Sequence, residues 1–304
     1  MREGLVTLCN LCPRMCGVDR SEKVGACGMG RDAEVSKIML HHFEEPCISG
    51  GEDGAGSGAI FFTGCSLKCV FCQNREISRG AAGTKLTPAE LAREMIHLEA
   101  LGAYNVNLVT PTHFTDRIIE ALDIAKPHLS IPVVWNTSGY ETPDTIRTLS
   151  GYVDIFLTDL KYVSPEISKK YSSAPDYGTF AAASLAEMVK IAGRPVFCDG
   201  LIRRGAIVRH LVLPGCRHDS IAVLDKIEDA VGHDSVLLSL MAQYTPDFLE
   251  EGHPELARRI TTFEYETVLE HARELGFRGY SQSRTSALTA YTPDFKEKKV
   301  DNEK

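Results

Sequence analysis

The sequence predicts an α/β fold: a partial (β/α)6 barrel of the TIM type, preceded by a cysteine-rich amino-terminal extension. Three observations predict it. Short apolar runs alternate with amphipathic helical patterns from residue 59 onward, several helical patterns carry start and stop signals, and polar residues follow the apolar runs. This alternation is typical of a parallel sheet whose strands are joined by helical crossovers.

Six apolar runs are predicted as strands of this sheet, at residues 59–63, 105–110, 131–136, 153–158, 207–213 and 236–241. In a closed or partly closed barrel of this type, the chemistry lies at the carboxyl ends of the strands. We therefore expect the polar residues at the ends of the runs to converge on one rim, among them Thr110, Asn136, Asp159 and Gln243.

The helices between the strands have recognisable ends. Thr87-Pro88-Ala89-Glu90 is a capping box with proline at the first helical position. Ser184-Leu185-Ala186-Glu187 has a similar form and predicts a second helix start, with Gly193 where that helix stops. Asp219 precedes a third apolar pattern, which ends before Gly232.

Three cysteines follow the first predicted strand with the spacing CxxxCxxC: Cys65, Cys69 and Cys72. Roughly 0.01 occurrences of this spacing are expected by chance in a chain with this cysteine content. An iron-sulfur cube held by three cysteines keeps one iron without a protein ligand, and a substrate can bind at that iron. The alternative is a structural zinc site, which normally needs four ligands, and this loop offers no obvious fourth.

Composition favours a soluble, cytoplasmic protein. No apolar run approaches the length of a membrane span, and the first residues contain no apolar stretch for export. Ten cysteines in a reducing compartment indicate metal ligands or reactive thiols rather than disulfides. A formal net charge of -8 argues against a nucleic-acid partner, which would favour a basic face.

A second group of cysteines lies near the amino terminus, where Cys9, Cys12, Cys16 and Cys27 stand in a loop-rich, glycine-containing stretch. Such a stretch has little to pack against, so a bound metal would supply the order that a core does not. Two interpretations stay open: a second iron-sulfur cluster that relays electrons, and a zinc site that staples the fold. The spacing does not choose between them.

We expect three parts in the chain: a cysteine-rich extension at 1–58, the barrel at 59–280, and a carboxyl-terminal extension with a charged tail at 281–304. The glycine-rich stretch 50–58 lacks the lysine of a phosphate-binding loop and is interpreted as a flexible lead into the barrel. Cys47 either replaces one of the amino-terminal ligands or is free. Cys198 and Cys216 are expected to be ordinary thiols.

The CxxxCxxC loop, with Phe71 before its last cysteine, resembles the signature of the radical S-adenosylmethionine superfamily. The downstream segments Asp159-Leu160-Lys161 and Arg209-His210-Leu211-Val212-Leu213-Pro214-Gly215 are similar to those of enzymes that activate pyruvate formate-lyase. The amino-terminal cysteines, placed before Glu45-Pro46-Cys47-Ile48-Ser49-Gly50, most resemble an uncharacterised branch of that group.

This resemblance implies a 4Fe-4S cluster on Cys65, Cys69 and Cys72, with S-adenosylmethionine bound at the open iron. One electron from the cluster then breaks the C5'-S bond, and the 5'-deoxyadenosyl radical abstracts hydrogen, as in the activation of a glycyl radical enzyme. The implied partners are a protein or peptide substrate and a flavodoxin or ferredoxin as the electron donor. No nucleic acid or membrane partner is expected.

The candidate cofactor-binding residues follow the loop and the strands: Phe71, Thr110, Thr112, Asn136, Ser138, Asp159, Lys161 and Arg209. By analogy Phe71 meets the adenine. Asn136 and Ser138 either contact the cofactor or cap a loop. Asp159 and Lys161 point to one face and form either a site pair or a structural ion pair. Arg209 offers a bidentate fork for a carboxylate.

One departure from the activating enzymes concerns the segment after the second predicted strand. Those enzymes carry Gly-Gly-Glu there, whereas this chain has Thr110-Pro111-Thr112-His113. A threonine hydroxyl and a backbone carbonyl can accept the same hydrogen bond, so cofactor binding is still expected. Two further hypotheses therefore remain: a radical reaction on a small molecule, and a non-catalytic iron-sulfur or zinc protein that carries electrons.

Overall fold

The computed structural model describes residues 8–51, 53–80 and 83–282. The first seven residues and residues 283–304, which include the predicted charged tail, lie outside the described residues. The strands are β1 (Ala33–His41), β2 (Ser57–Phe62), β3 (Thr84–Leu86), β4 (Val106–Val109), β5 (Val133–Thr137), β6 (Ile155–Asp159), β7 (Val196–Cys198), β8 (Leu201–Leu211), β9 (Val236–Met241) and β10 (Gly279–Ser281).

The helices lie between these strands and pack on the sheet. They are α1 (Pro46–Ser49), α2 (Arg75–Ser78), α3 (Pro88–Ala100), α4 (Thr115–Ala125), α5 (Pro143–Arg147), α6 (Pro165–Ser172), α7 (Tyr177–Ala192), α8 (Arg217–Val231) and α9 (Thr262–Glu274). Short 3-10 turns at 112–114, 126–128, 233–235, 246–248 and 254–256 complete the connections. Within the described residues, no helix has the length and apolar character needed to cross a membrane.

The predicted six-stranded parallel core is confirmed. β2, β4, β5, β6, β8 and β9 are neighbours in that order, and each pair is parallel. The sheet continues through the parallel strand β10 on one side and the antiparallel strands β1 and β3 on the other. Its order runs from β10 to β3, as expected for a partial barrel that does not close through its own strand pairing in the described part of the chain.

Strand β1 was not predicted, and neither were β3, β7 and β10. β1 contributes to the sheet through antiparallel pairing with β2, from Val35 opposite Phe62 to His41 opposite Ser57. The cysteine loop therefore follows the first strand of the parallel series but the second strand of the chain. The sheet also crosses the proposed division at residue 58, because β1 belongs to it and β2 begins at Ser57.

The helix-start prediction at residue 87 is confirmed. Thr87 precedes α3, its hydroxyl accepts the Glu90 amide at 3.3 Å, and the Glu90 carboxylate accepts the Thr87 amide at 2.9 Å. The start predicted at Ser184 is wrong, because Ser184 lies within α7, where its buried hydroxyl donates to the Glu141 carbonyl at 2.7 Å. The stop is correct, since Gly193 follows α7 with a φ of 70°.

The third predicted helix is α8, and Asp219 lies within its first turn rather than before it. The Asp219 carboxylate accepts the backbone amide of Ser164 at 2.7 Å. This contact ties the start of α8 to the loop before α6. Gly232 stands at the end of α8 as predicted, with a φ of 77°.

A short segment fills the interior of the barrel beneath its rim. Cys47 and Ile48 of α1 are buried against inward-facing residues near the middle and amino ends of the strands: Val134, Ile155, Leu157, Ile202 and Ile207. The Asn105 side chain also donates to the Ile48 carbonyl at 2.8 Å. Because side chains alternate along a strand, the residues two positions further along β5, β6 and β8 face the same interior nearer the carboxyl ends.

Candidate active site

A cavity of about 580 Å³ opens at the carboxyl ends of the parallel strands, where the sequence predicted the site. Its volume lies within the range of small-molecule and cofactor sites. The cysteine loop forms part of its wall, and all three residues of the CxxxCxxC pattern line it: Cys65, Cys69 and Cys72. Strand-end residues and the segment from His41 to Pro46 form much of the remaining wall.

The cysteine loop is held from two sides. At its start, Gly64 has a φ of 84°, and a Cβ there would lie 2.3 Å from the Met29 Cγ, so glycine permits the close approach. At its far end, the Val70 amide donates to the Tyr171 carbonyl at 2.9 Å. The hydroxyl of Ser172 donates to the Cys69 Sγ at 3.1 Å. These contacts hold the cysteine loop at the cavity wall.

The three thiols suit an iron-sulfur cluster. Burial raises the pKa of Cys69 and raises the pKa of Cys72 to about 12, and a bound metal would take the place of their protons. In the described ranges, no group of three or more His, Cys, Asp or Glu side chains is arranged around a single ion. The cysteines of an iron-sulfur cube instead bind separate irons, and here the three cysteines line one cavity.

Most of the predicted cofactor-binding residues line this same cavity: Phe71, Thr110, Asn136, Ser138, Asp159, Lys161 and Arg209. They come from the cysteine loop and from the ends of β4, β5, β6 and β8. The ring of Phe71 is largely buried and makes edge contacts with Tyr162 and Tyr244, at centroid distances of 6.5 and 6.1 Å. The aromatic contacts hold the Phe71 backbone at the cavity wall.

Thr112 is the exception among these candidates. Its buried hydroxyl donates to the Glu141 carboxylate at 2.8 Å, and Thr112 does not line the cavity. Glu141 also accepts the Trp135 indole N–H at 2.7 Å, and burial raises its pKa. The prediction for Thr112 is corrected accordingly, because its side chain holds a buried carboxyl group in place. Thr110 keeps its place at the cavity, with a φ of 60°.

His113 is also turned away from the cavity. Its ring is buried, its Nε2 lies 2.7 Å from the Thr63 carbonyl, and burial lowers its pKa to about 4. The ring is therefore neutral at physiological pH and bound to the end of β2. A structural role fits this placement.

Asp159 and Lys161 form an ion pair at the cavity wall. Burial alone would lower the pKa of Lys161, but the neighbouring Asp159 carboxylate raises it above its usual value. Behind the pair, the Tyr177 hydroxyl lies 2.8 Å from the Ser138 carbonyl and 3.0 Å from the Asp159 carbonyl. Tyr177 begins α7 and is buried.

Arg209 is engaged by two glutamates that sequence reasoning did not select. Its Nε donates to Glu45 at 2.7 Å, and its Nη2 pairs with both Glu44 and Glu45. Glu44 also accepts the side-chain amides of Asn107 and Asn136, at 2.9 and 3.1 Å. The cofactor-binding role of Arg209 stays a prediction: the residue lines the cavity, and its guanidinium is paired with the Glu44 and Glu45 carboxylates.

These contacts fix the floor of the cavity. Burial alone would raise the pKa of Glu44, but the Arg209 guanidinium more than offsets this effect and holds that pKa below its usual value. Glu44 and Glu45 directly precede the segment that fills the barrel interior, so the ion pairs anchor it. The sequence signal that could have indicated these ion pairs was the pair of acidic residues before Pro46, which had no predicted role.

The amino-terminal cysteines come together over the cysteine loop. A hairpin-like turn is closed by hydrogen bonds of 3.0 Å between the Cys9 amide and the Val18 carbonyl and between the Gly17 amide and the Cys9 carbonyl. A Cβ on Gly25 would lie 3.4 Å from the sulfurs of both Cys16 and Cys27. Burial, with smaller contributions from Cys9, Cys27 and Cys16, raises the pKa of the fourth thiol, Cys12, to about 11.

Arg14 and Cys27 join this group to the cysteine loop. The Arg14 guanidinium donates to the carbonyls of Ser66 and Ser172, both at 2.9 Å. The Cys65 amide donates to the Cys27 carbonyl at 3.3 Å. Cys47 does not belong to the group, because it is buried in the barrel interior. Cys198 is exposed and Cys216 is partly buried, and both are free thiols.

Comparison with known proteins agrees with this geometry. The profile of the radical SAM superfamily matches residues 59–202. An uncharacterized protein of Methanocaldococcus jannaschii is 30% identical over 278 residues, which cover 88% of this chain and 74% of that protein.

Among solved structures, Streptococcus suis SuiB bound to S-adenosylmethionine superposes with a TM-score of 0.51 at 15% identity. The match covers 72% of this chain and 48% of SuiB, so the chain spans about half the length of that protein. At this identity the similarity is one of fold.

Proposed function

The chain belongs to the radical SAM superfamily, and we propose that it uses S-adenosylmethionine to remove hydrogen from a protein or peptide, as glycyl-radical activating enzymes do. The family implies a 4Fe-4S cluster and S-adenosylmethionine as cofactors. When bound, these supply one electron and a 5'-deoxyadenosyl radical. The observation that carries the proposal is the convergence of Cys65, Cys69 and Cys72 on a cofactor-sized cavity at the carboxyl ends of the parallel strands.

Each group of residues has a task in this proposal. Cys65, Cys69 and Cys72 bind the cluster. The paired side chains of Asp159 and Lys161 present a carboxylate and an ammonium to the cofactor. Asn136, Ser138 and Thr110 supply polar atoms at the neighbouring strand ends, and the backbone around Phe71 borders the adenine.

A protein or peptide substrate is supported by the open sheet. Within the described residues, the edge strands β3 and β10 do not pair with each other, so the strands do not enclose the cavity on that side. The competing hypothesis, a small-molecule substrate, is favoured by the sequence Thr110-Pro111-Thr112-His113, which departs from the Gly-Gly-Glu of the activating enzymes. Incubating the enzyme with deuterated peptides or metabolites and following deuterium in 5'-deoxyadenosine separates the two.

The amino-terminal cysteines are proposed to bind a second metal centre, either an iron-sulfur cluster or zinc. Four thiols in a small loop-rich segment support this proposal, since a metal stabilises a segment that buries little apolar surface. Iron and zinc analysis of the purified wild type and of a variant with serine at Cys9, Cys12, Cys16 and Cys27 tests it. Loss of one metal centre in the variant is the expected result.

The central test is anaerobic reconstitution with iron and sulfide, followed by reduction with dithionite and addition of S-adenosylmethionine. We expect the wild type to form 5'-deoxyadenosine and Cys69→Ala to form none. Wild type that carries a reducible cluster but makes no more product than Cys69→Ala would exclude the enzymatic function. A non-catalytic electron carrier would give that result.

A further inference from the structure

We propose that the carboxyl-terminal segment, residues 283–304, binds across the open side of the cavity and closes it until a substrate arrives. This inference rests on the proposed function and deepens it, because it names what controls access to the site. The segment lies outside the described residues. Four observations support its binding here: an opening in the barrel, an aromatic surface at that opening, the place where the segment begins, and a repeated sequence within it.

The barrel is open between strands β1 and β10. Within the described residues, the order of the sheet begins at β10 and ends at β1 and β3, and β3 pairs with β1 at residues 33–35 only. The rest of β1, as far as His41, and the whole of β10 therefore flank an opening in the wall. Both flanks contribute residues to the lining of the cavity: His41, Phe43, Tyr280, Ser281 and Gln282.

An aromatic surface, formed by His41, Phe43 and Phe61, lies on the β1 side of this opening. The ring of His41 meets those of Phe43 and Phe61 edge to face, at centroid distances of 5.8 and 5.9 Å. His41 and Phe61 are buried, whereas Phe43 is 47% exposed. Burial also lowers the pKa of His41, so its ring is neutral at physiological pH. An uncharged aromatic surface of this kind is suited to bind further aromatic side chains.

The carboxyl-terminal segment begins at the opposite edge of the opening, after Gln282. The backbone amide of Gln282 donates to the Leu240 carbonyl at 3.3 Å and to the Tyr265 hydroxyl at 3.0 Å. Its Oε1 accepts the Ala242 amide at 3.0 Å, so the starting point of the segment is fixed. Residues 283–290 can extend for up to about 27 Å, and a cavity of about 580 Å³ is about 10 Å across as a sphere, so the segment can cross it.

The segment contains the second copy of a pentapeptide. Tyr-Thr-Pro-Asp-Phe occurs at residues 244–248, beside the cavity, and again at residues 291–295. Roughly 0.05 exact repeats of five residues are expected by chance in a chain of this length and composition. The repeat therefore calls for a structural explanation, and the first copy supplies one.

The first copy forms a turn that presents an aromatic ring to an aromatic neighbour. The Thr245 hydroxyl caps a short 3-10 turn at residues 246–248, because it accepts the Asp247 amide at 3.5 Å and donates to the Asp247 carboxylate at 2.5 Å. The buried ring of Tyr244 packs edge to face against Phe71 of the cysteine loop, at a centroid distance of 6.1 Å. Both aromatic partners belong to the cavity wall or lie directly behind it.

The second copy has the same chemical groups in the same order, so the same capped turn is available to it. Tyr291 and Phe295 are the two aromatic residues of the segment. In the closed state they contact the aromatic surface, where Phe43 is the exposed ring. Closing the opening keeps water from the site, and a protein or peptide substrate must displace the pentapeptide to enter.

Hydrogen-deuterium exchange on the reconstituted full-length protein tests the contact without any turnover. Tyr291→Ser with Phe295→Ser removes both aromatic rings of the segment. Lys298→Ser with Val300→Ser is the matched control, since it changes two residues of the same segment outside the pentapeptide. Fragments that cover residues 38–45 report on the aromatic surface, and fragments that cover β5 report on a part of the sheet away from the opening.

We expect the amides of residues 38–45 to exchange about tenfold faster in the variant without Tyr291 and Phe295 than in the wild type. The control variant and the β5 fragments should exchange at wild-type rates. The reciprocal variant, Phe43→Ser, should speed exchange at residues 288–297 by a similar factor. Wild-type rates at residues 38–45 in the first variant, or equal acceleration in the control, would overturn the proposed contact.

The exchange result is separable from the proposed function because it needs no cleavage of S-adenosylmethionine. If exchange changes as expected but the dithionite-reduced wild type forms no 5'-deoxyadenosine, the contact stands and the proposed function fails. If the wild type forms 5'-deoxyadenosine but residues 38–45 keep their wild-type exchange in the first variant, the proposed function stands and the closing role of residues 283–304 is refuted.

Discussion

Replacing Arg209 tests the charged floor of the cavity most directly. The side chain of Arg209 is 16% exposed, and those of Glu44 and Glu45 are 7% and 5% exposed. Arg209→Met keeps an unbranched apolar side chain but leaves two buried carboxylates without their cation. Breaking a buried pair in this way typically costs about 3–5 kcal/mol of the free energy of unfolding, because the remaining charge is desolvated without compensation.

The loss depends on pH with a definite sign. In the wild type the folded pKa of Glu44 lies below its unfolded value, so the pair stabilises the fold above the unfolded pKa and loses this contribution as pH falls through the folded pKa. Without Arg209, burial raises the folded pKa of Glu44. The charged form then opposes folding, and the penalty grows as pH rises above the unfolded pKa. Arg209→Met should therefore be more destabilising at about pH 7 than at about pH 5.

Urea denaturation followed by circular dichroism, on reduced protein at the two pH values, measures both effects. The matched control is Arg209→Met with Glu44→Gln and Glu45→Gln, which removes all three charges and should recover part of the lost stability. A loss below about 1 kcal/mol for Arg209→Met, or an equal loss at both pH values, would contradict the role assigned to these ion pairs.

Three further substitutions probe the site. Tyr177→Phe removes the hydroxyl that contacts the Ser138 and Asp159 carbonyls. S-adenosylmethionine should then bind several-fold more weakly, as measured by calorimetry, while the iron content stays unchanged. An unchanged affinity would exclude a positioning role for Tyr177. Ser172→Ala removes the hydrogen bond to the Cys69 sulfur. The reduction potential of the cluster should fall by roughly tens of millivolts in an anaerobic redox titration. An unchanged potential would show that this hydrogen bond is lost when iron binds. Gly64→Ala places a Cβ 2.3 Å from the Met29 Cγ at a φ of 84°. The melting temperature should therefore fall by an amount equivalent to about 1–3 kcal/mol of the free energy of unfolding. A melting curve like that of the wild type would refute the close contact.

Local patterns in the sequence were sufficient for much of the fold. The six apolar runs correspond to the six parallel strands, and the capping box at Thr87 begins a helix where predicted. The helix start predicted at Ser184 was wrong because a capping sequence specifies a helix start only when the residues before it are not helical. Here α7 already begins at Tyr177, and Ser184 is buried against the Glu141 carbonyl.

The candidate site, too, was predictable from the sequence in part only. The spacing of Cys65, Cys69 and Cys72 is local, and alternation along a strand places polar strand ends on the rim, so both were open to prediction. The partners of Arg209 were not, because Glu44 and Glu45 are more than 160 residues away in the chain. The contact of Thr112 was missed for a related reason, because its hydroxyl donates to Glu141, which lies in the loop after a different strand.

By itself, the sequence determined the class of fold and the cysteine chemistry, since periodicity and ligand spacing are properties of short segments. Only the tertiary structure decided which polar groups face the cavity and which face each other, because that depends on contacts between distant segments whose charges must be compensated when buried. The same holds for the amino-terminal cysteines: the four thiols are evident in the sequence, but the contact between Cys27 and Cys65 exists only once the chain has folded.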